Sequence, residues 1–359
     1  MRTTRQIFVG TVPVGGGAPV SIQSMTNTDT GNAEATLAQI RRLAAIGCQI
    51  VRCAIPNRLV LSAFERICAE SPLPVVADIH FDHTLAVEAL QRGAACVRVN
   101  PGNLKNEECS RQVAREAAKL GRSVRIGVNG GSLAKDLAER LGKGAEAMVE
   151  SAMRYVQIFE SEGCSALKVS LKASEVRTTL AACRDFATRT DIPLHIGVTE
   201  AGPLTTGIIK SAVGIGALLL EGIGETLRVS LTAPPEEEVR TALRILEATG
   251  LRQAQPEIVS CPTCGRTRVN LMQLVADVER EVRRIQDSGR VIRLRKVAVM
   301  GCEVNGPGEA SDADIGIAGA LHKGILFRHG VKIATLPEEE LLPALVQELE
   351  KAATSAAGR

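Results

Sequence analysis

The sequence predicts a (β/α)8 TIM barrel followed by a small α+β domain, and three observations carry that expectation. Apolar strand-like runs alternate with amphipathic segments eight times over about the first 250 residues. The alternation stops after Pro256, where shorter strands flank one long charged helix. Between the two patterns, Arg252 to Pro256 carries Gln, Ala and Pro and reads as a linker, which sets expected domains at 1–252 and 257–359. A doubly wound open sheet is the competing architecture for the first pattern.

Residues Gln6 to Pro19, with three consecutive glycines, suggest a short hairpin ahead of the first barrel strand. The eight expected strands are Val20–Ser24, Ile50–Ala54, Val75–Ile79, Cys96–Val99, Val124–Val128, Leu167–Leu171, Leu194–Val198 and Leu227–Leu231. Helical spacing of apolar residues fills the intervals, as in Ala33–Gly47, Asn106–Gly121 and Ala145–Gly163, and a glycine closes each of these at the expected stop position. The second domain opens with a short strand from Glu257 and the thiol pair of CPTCG. A helix over Asn270 to Asp287, a strand at Val297–Met300, the glycine-rich GCEVNGPGEA, strands near Ile315 and Ile325, and a helix from Pro337 complete it.

Composition narrows the function. The chain has 359 residues, 45% of them hydrophobic, enough to build substantial cores. Its first residues, MRTTRQIFVG, lack a signal-like apolar run, and no later stretch approaches the roughly 20 apolar residues that span a bilayer, so a cytoplasmic protein is expected. Net charge is only +3, and with no Trp and one Tyr there is little on which a base or flavin ring would stack. Nucleic acid and membrane are therefore not expected partners.

A cation is embedded in five of the strand runs, as Arg52, Arg98, Arg125, Lys168 and Arg228. Buried unpaired cations cost several kcal/mol each, so they require anions. Asp78, Glu200 and Glu225 are internal candidates; the alternative is a multiply charged phosphate ester, because barrel active sites lie at the C-terminal strand ends. Polar side chains gather at those ends, among them His80, Asn100, Asn129, Ser170, Lys172, Lys210 and Ser230. Glu200, in TEAG after the seventh strand, is the favoured acid or base, with Asp78 and His80 nearby.

Seven of the ten cysteines lie in apolar strand or helix patterns and read as small buried hydrophobes. The other three, Cys261, Cys264 and Cys302, form a thiol set one ligand short of four. Structural zinc completed by His322 or His329 is one reading. In the other, Glu309, seven residues after Cys302, is a weaker and exchangeable oxygen ligand to iron.

Taken together, QSMTNTDT, EATLAQI, IVRCAIP, VVADIHF, VRVNPGN, VRIGVNGGSL, LHIGVTEAG, GIIKSAVGIG, LRVSLT, CPTCGR, VMGCEVNGPGEA and ADIGIAG resemble the 4-hydroxy-3-methylbut-2-enyl diphosphate synthase family in its short two-domain bacterial form. The resemblance implies a [4Fe-4S] cluster on Cys261, Cys264, Cys302 and Glu309. It implies reductive ring opening and dehydroxylation of 2-C-methyl-D-erythritol 2,4-cyclodiphosphate by two one-electron transfers, within isoprenoid precursor biosynthesis. The implied diphosphate contacts are Arg52, Arg98, Asn100, Arg125, Asn129, Lys168, Ser170, Lys210, Arg228 and Ser230, with Asp78, His80 and Glu200 near the reacting end. It also implies a homodimer in which one copy's cluster domain caps the other's barrel, and a ferredoxin or flavodoxin as electron donor. Arg283, Arg284, Arg290, Arg293, Arg295 and Lys296 are a basic stretch able to receive such a donor. A zinc-stabilised sugar-phosphate aldolase, with Lys168 or Lys172 as Schiff-base lysine, is the competing activity.

Overall fold

The computed structural model describes residues 1–131, 133, 135–252, 256–303, 308 and 310–355. The chain divides into two compact units, Met1–Arg252 and Gln253–Arg359. Residues 253–255 of the expected linker lie outside the described residues.

The first unit is a parallel eight-stranded barrel. Its strands are β3 (Ser21–Met25), β4 (Ile50–Ala54), β5 (Val75–Ile79), β6 (Cys96–Val99), β7 (Ser123–Asn129), β8 (Leu167–Lys172), β9 (His195–Ile196) and β10 (Thr226–Leu227). They follow one another in the order β8-β7-β6-β5-β4-β3-β10-β9, and a bridge between Val169 and Leu194 joins the two ends. That closure rules out the open doubly wound sheet. The last two strands are shorter than expected, and just beyond the first of them Gly197 lies against the Arg228 carbonyl, where a Cβ would sit at 2.4 Å.

Strand alternation sorts the side chains. Ile22, Val51, Cys53, Ala77, Val97, Ile126, Val169, Leu194 and Leu227 belong to the main core between strands and helices. Their neighbours, Gln23, Arg52, Asp78, Arg98, Arg125, Lys168, His195 and Thr226, therefore face the barrel interior. The predicted hairpin is present as β1 (Ile7–Val9) and β2 (Val12–Val14), antiparallel. Ile7, Val9 and Val14 pack on Ile50, Val76, Ala95 and Cys96, so the hairpin plugs the N-terminal end of the barrel.

The second unit is a five-stranded mixed sheet of order β11-β13-β14-β15-β16, with β11 (Glu257–Ser260), β13 (Lys296–Met300), β14 (Ile315–Ala320), β15 (Lys323–Arg328) and β16 (Val331–Pro337). β11, β13 and β14 run parallel, β15 runs against them, and β16, antiparallel to β15, runs in their direction again. Helices Leu271–Asp287 and Glu338–Lys351 cover one face through Val278, Val282, Ile285, Leu341, Leu345 and Leu349. A separate pair joins β12 (Arg290–Ile292) to β17 (Ala353–Ser355). β12, β16 and β17 were not expected: β16 is an edge strand with mostly exposed side chains, and the other two are three residues long. Among the described residues no helix is long and apolar enough to cross a membrane.

Gly316 shows how tightly this sheet is packed, since a Cβ there would lie 2.4 Å from Phe327 Cζ and 2.8 Å from Ala298 Cβ. Gly316→Ala is expected to cost about 1–3 kcal/mol of overpacking in the second unit. Hydrogen exchange should then accelerate at the Ile315–Ala320 amides while barrel amides keep their protection; unchanged exchange in β14 would refute the packing argument.

Candidate active site

Register places an uninterrupted charged row across four neighbouring strands. Asp78 pairs with Arg98, Arg98 with Arg125, and Arg125 with Lys168. Like charges opposite one another repel, so three cations in line behind one carboxylate is a costly arrangement. Asp78, almost fully buried, lies 3.7 Å from Arg52 Nε, 3.4 Å from Arg98 Nη1 and 3.4 Å from His80 Nε2. Burial alone pushes its carboxyl up, but Arg52, the His80 hydrogen bond and Arg98 outweigh it and hold it well below the usual range. Arg228 is held by Glu238, at 3.1 and 3.2 Å, and Glu238 also accepts from the Leu231 amide.

Among the described residues the remaining cations have no carboxylate partner. Arg125 leaves Nε and Nη1 buried without a partner, and Lys168 Nζ is equally bare. Burial pulls Lys168 down to about 8 and Arg125 well below its ordinary value. Lys172, four residues beyond Lys168 on the same inward face, stands about 13 Å nearer the mouth. Burial and the charges of Arg125, Arg228, Arg52 and Arg98 depress it strongly. Its ammonium occupies the space over Gly197, 2.7 Å from where a Cβ would be, just as Arg98 Nε fills the space over Gly127. His195, fully buried, has both ring nitrogens unpaired and is kept neutral by burial and by Lys172. Arg52, Arg98, Arg125, Lys168, Lys172 and Arg228 thus converge on one interior with, among the described residues, Asp78 and Glu238 to balance them.

Ser170 pairs with Gly127 and Asn129 with Lys172, which sets both near the mouth, while Asn100 follows β6 and Ser230 follows β10. Glu200 turns out of β9 with φ 51°, a left-handed conformation uncommon for a non-glycine residue, and its side chain is exposed. Of the expected neutralising carboxylates, Glu225 instead faces Arg2 at 3.5 Å and receives the Leu194 amide. Lys210 lies on the helix Leu204–Leu220, outside the strand rows. Glu238 as a counter-ion is what sequence reasoning missed; Lys172, which the sequence set among the polar groups at the strand ends, joins the embedded cations. Glu238 sits on a helix, in an acidic first turn that reads as ordinary N-terminal charge.

In the second unit the thiols follow adjacent parallel strands. Cys261 follows β11 and Cys302 follows β13, and Ser260 pairs with Val299. The Gly301 amide donates to Cys261 Sγ at 3.3 Å, and the Arg268 amide donates to the Gly301 carbonyl at 2.9 Å. The Cys264 amide donates to Thr267 Oγ1 at 3.1 Å, closing the CPTCG turn. The Cys264 thiol is exposed and pulled down by the backbone and side chain of Arg266. Elsewhere burial pushes Cys48 and Cys53 up to about 11 and Cys164 and Cys183 to about 12. All ten cysteines are free thiols. Glu309 lies outside the described residues.

This donor set suits an iron–sulfur cluster: an amide N–H on a thiolate sulfur and an acidified exposed thiol are features that tune such centres. Among the described residues no three His, Cys, Asp or Glu side chains close around one point as for a single ion. A cluster places each thiolate on its own iron and so accepts a wider spacing. His322 is in the turn at the thiol end of the sheet, whereas His329 is at the opposite end, its amide donating to Ala313.

A closed barrel rich in buried cations is thus followed in the chain by an α+β unit that carries three thiols at and just beyond its strand ends. Residues 4–243 match the GcpE TIM-barrel domain and residues 257–351 the GcpE protein C-terminal domain, and the chain belongs to this family. It is 52% identical over 349 residues, 97% of each chain, to the 4-hydroxy-3-methylbut-2-en-1-yl diphosphate synthase (flavodoxin) of Geobacter sulfurreducens. It is 50% identical over 350 residues to the protein of the same name from Aquifex aeolicus, covering 97% of this chain and 96% of that one. Among solved structures it is similar to the dihydropteroate synthase of Yersinia pestis, with TM-score 0.50 and 14% identity over 69% of this chain and 99% of that one, a likeness of fold alone.

The charge balance yields two opposite expectations. The Asp78 carboxyl is depressed, so its stabilisation is present above the ordinary carboxylate value and lost as pH falls. Asp78→Asn is therefore expected to cost about 3–5 kcal/mol at pH 7. Lys168 is depressed from 10.5 to about 8, so the unfolded state binds more protons between those values and stability rises across that window. Lys168→Met is expected to stabilise the empty protein at pH 7 by up to about 3 kcal/mol, a gain that vanishes towards pH 10.5. Chemical denaturation at pH 7 and 10 checks both, and a destabilised Lys168→Met would mean that the lysine has an anionic partner.

Proposed function

We propose that this chain reduces 2-C-methyl-D-erythritol 2,4-cyclodiphosphate to 4-hydroxy-3-methylbut-2-enyl diphosphate in isoprenoid precursor biosynthesis, with flavodoxin or ferredoxin as donor. Family membership supports the reaction, and the observation that carries the substrate class is the surplus of buried cations over carboxylates in the barrel. Residues 1–252 serve as the substrate-binding domain and residues 257–359 as the cluster domain. Its thiols stay reduced in the cytoplasm, where such donors are found. The working form is a homodimer in which one copy's second unit serves the other copy's barrel.

The reaction consumes two electrons and one proton: the dianionic ring opens at a carbon–oxygen bond, the neighbouring hydroxyl leaves as water, a double bond forms, and a trianionic diphosphate results. A [4Fe-4S] cluster on Cys261, Cys264, Cys302 and Glu309, when bound, supplies the electrons and a Lewis-acidic iron. The barrel's own residues do the rest. Arg125, Lys168 and Lys172, lacking carboxylates, meet the phosphates and hold the charge that ring opening adds. Arg52, Arg98 and Arg228 are pre-aimed by Asp78 and Glu238. Asn100, Asn129, Ser170 and Ser230 orient the ester oxygens, and Lys210 contributes charge from beside the mouth. Asp78 fixes the His80 ring, and Glu200, exposed at the rim, delivers the proton to the departing hydroxyl.

Anaerobically purified protein with reduced methyl viologen is expected to convert the cyclodiphosphate to the linear diphosphate, read by mass spectrometry, with about four irons per chain. Zinc without iron, or no conversion, would overturn the reading. Glu200→Gln should lower kcat by about 10²–10⁴ with KM little changed; a pure KM effect would move the proton donor elsewhere.

A further inference from the structure

His195 is a buried titratable group that the proposed chemistry leaves idle, and it stands directly beneath a cation on which that chemistry relies. Register fixes the placement. The bridge of Val169 to Leu194 continues towards the mouth with Ser170 beside His195 and Lys172 beside Gly197. Thr226 pairs with His195 and Leu227 with Ile196, which puts Arg228 on the other side of Gly197. Lys172, Gly197 and Arg228 thus form one row around the wall, and Ser170, His195 and Thr226 form the inward-facing row about 7 Å below it. Gly197 has no side chain to separate the rows, and Lys172 Nζ lies 2.7 Å from where its Cβ would be, so the ammonium sits on the wall above His195.

The surroundings leave this imidazole one favourable state. It is fully buried with Nδ1 and Nε2 both unpartnered, and burial, followed by the charges of Lys172, Arg125, Lys168 and Arg52, keeps it neutral. A neutral imidazole has one N–H to donate and one lone pair to offer. The cations around it donate, so the lone pair belongs to one of them, and of the four the charge of Lys172 weighs most on the ring. The N–H needs an acceptor, and Thr226 Oγ1, beside it in register and likewise unpartnered, is placed to accept. Lys172 needs what the ring offers: the charged groups that bear on it, Arg125, Arg228, Arg52 and Arg98, are all cations, and none of them accepts a hydrogen bond from its ammonium.

We propose that His195 is a positioning residue that acts through Lys172: its imidazole accepts one hydrogen bond from the ammonium and so directs the other N–H groups to phosphate oxygens at the mouth, while Thr226 takes the ring N–H and fixes the tautomer. This rests on the reading that the barrel takes a diphosphate ester. An anion at the mouth offsets the repulsion among the cations, so Lys172 carries its full charge there and the bond to the ring strengthens with it. His195 touches no substrate atom, and its whole effect on binding passes through the lysine.

The test is calorimetric titration of the cluster-loaded protein with the cyclodiphosphate, at low ionic strength so that weakened variants still bind measurably. It compares wild type, His195→Leu, His195→Gln, Lys172→Met and the double variant His195→Leu/Lys172→Met. His195→Leu is expected to bind about tenfold more weakly than wild type, yet the double variant to bind within about twofold of Lys172→Met. His195→Gln, which keeps an acceptor and a donor, should stay within about threefold of wild type. Chemical denaturation of the empty proteins should find His195→Leu at least as stable as wild type, because two unpartnered nitrogens leave the interior; His195→Met takes its place if the leucine variant does not fold. Wild-type affinity in His195→Leu, an equal loss in both backgrounds, or a glutamine variant as weak as the leucine one would each overturn the positioning role. Failure of the wild type itself to bind the cyclodiphosphate would instead overturn the substrate on which the inference rests.

Discussion

Crowding cations into a closed barrel without matching anions is the constraint on which the rest of the first unit depends. Arg98, Arg125 and Lys168 are neighbours in register, so no choice of rotamer separates their charges by much. The surrounding wall must hold them against repulsion, and it does so with a continuous apolar layer between strands and helices and with a hairpin that seals the N-terminal end. Asp78 and Glu238 are placed to relieve Arg52, Arg98 and Arg228, while the deeper Arg125 and Lys168 stay bare. An anion that met Arg125 and Lys168 would relieve that repulsion and so would stabilise the barrel on binding.

The second unit solves a different problem with the same geometric device. Parallel strands end side by side, so residues just beyond them meet although they are far apart in sequence. Cys261 and Cys302 are brought together in this way by β11 and β13, and the Gly301 amide on Cys261 Sγ ties the two loops. Glycines at 301 and 319 let segment 262–270 lie directly on the sheet end.

Most of the barrel was legible because its strands are short apolar runs at regular spacing, and the cations stood out because an arginine inside such a run has no cheap explanation. The reach of those cations was less legible. Lys168 and Lys172 look alike in KVSLK, yet two steps of strand alternation leave one sealed in the interior and the other half-buried at the mouth. Glu238 was hidden because counter-ions from flanking helices leave no strand pattern. The pairing within the basic stretch near Arg283 was not legible either: Glu350 and Asp312, which pair with Arg284, Arg290 and Lys296, come from distant parts of the sequence.

Ten thiols, three of them in the second unit, raise the question of how those three are distinguished from the rest. Burial gives a physical answer. A ligand must ionise, and the apolar surroundings of Cys48, Cys53, Cys68, Cys164 and Cys183 raise the cost of a thiolate at each of them. Cys264 has the reverse environment, exposed and next to Arg266, where the thiolate is favoured. That thiol lies in the CPTCG turn, with Cys261 three residues away and Cys302 beyond the adjoining strand, so the one thiol pulled down stands where the other two of the second unit are gathered.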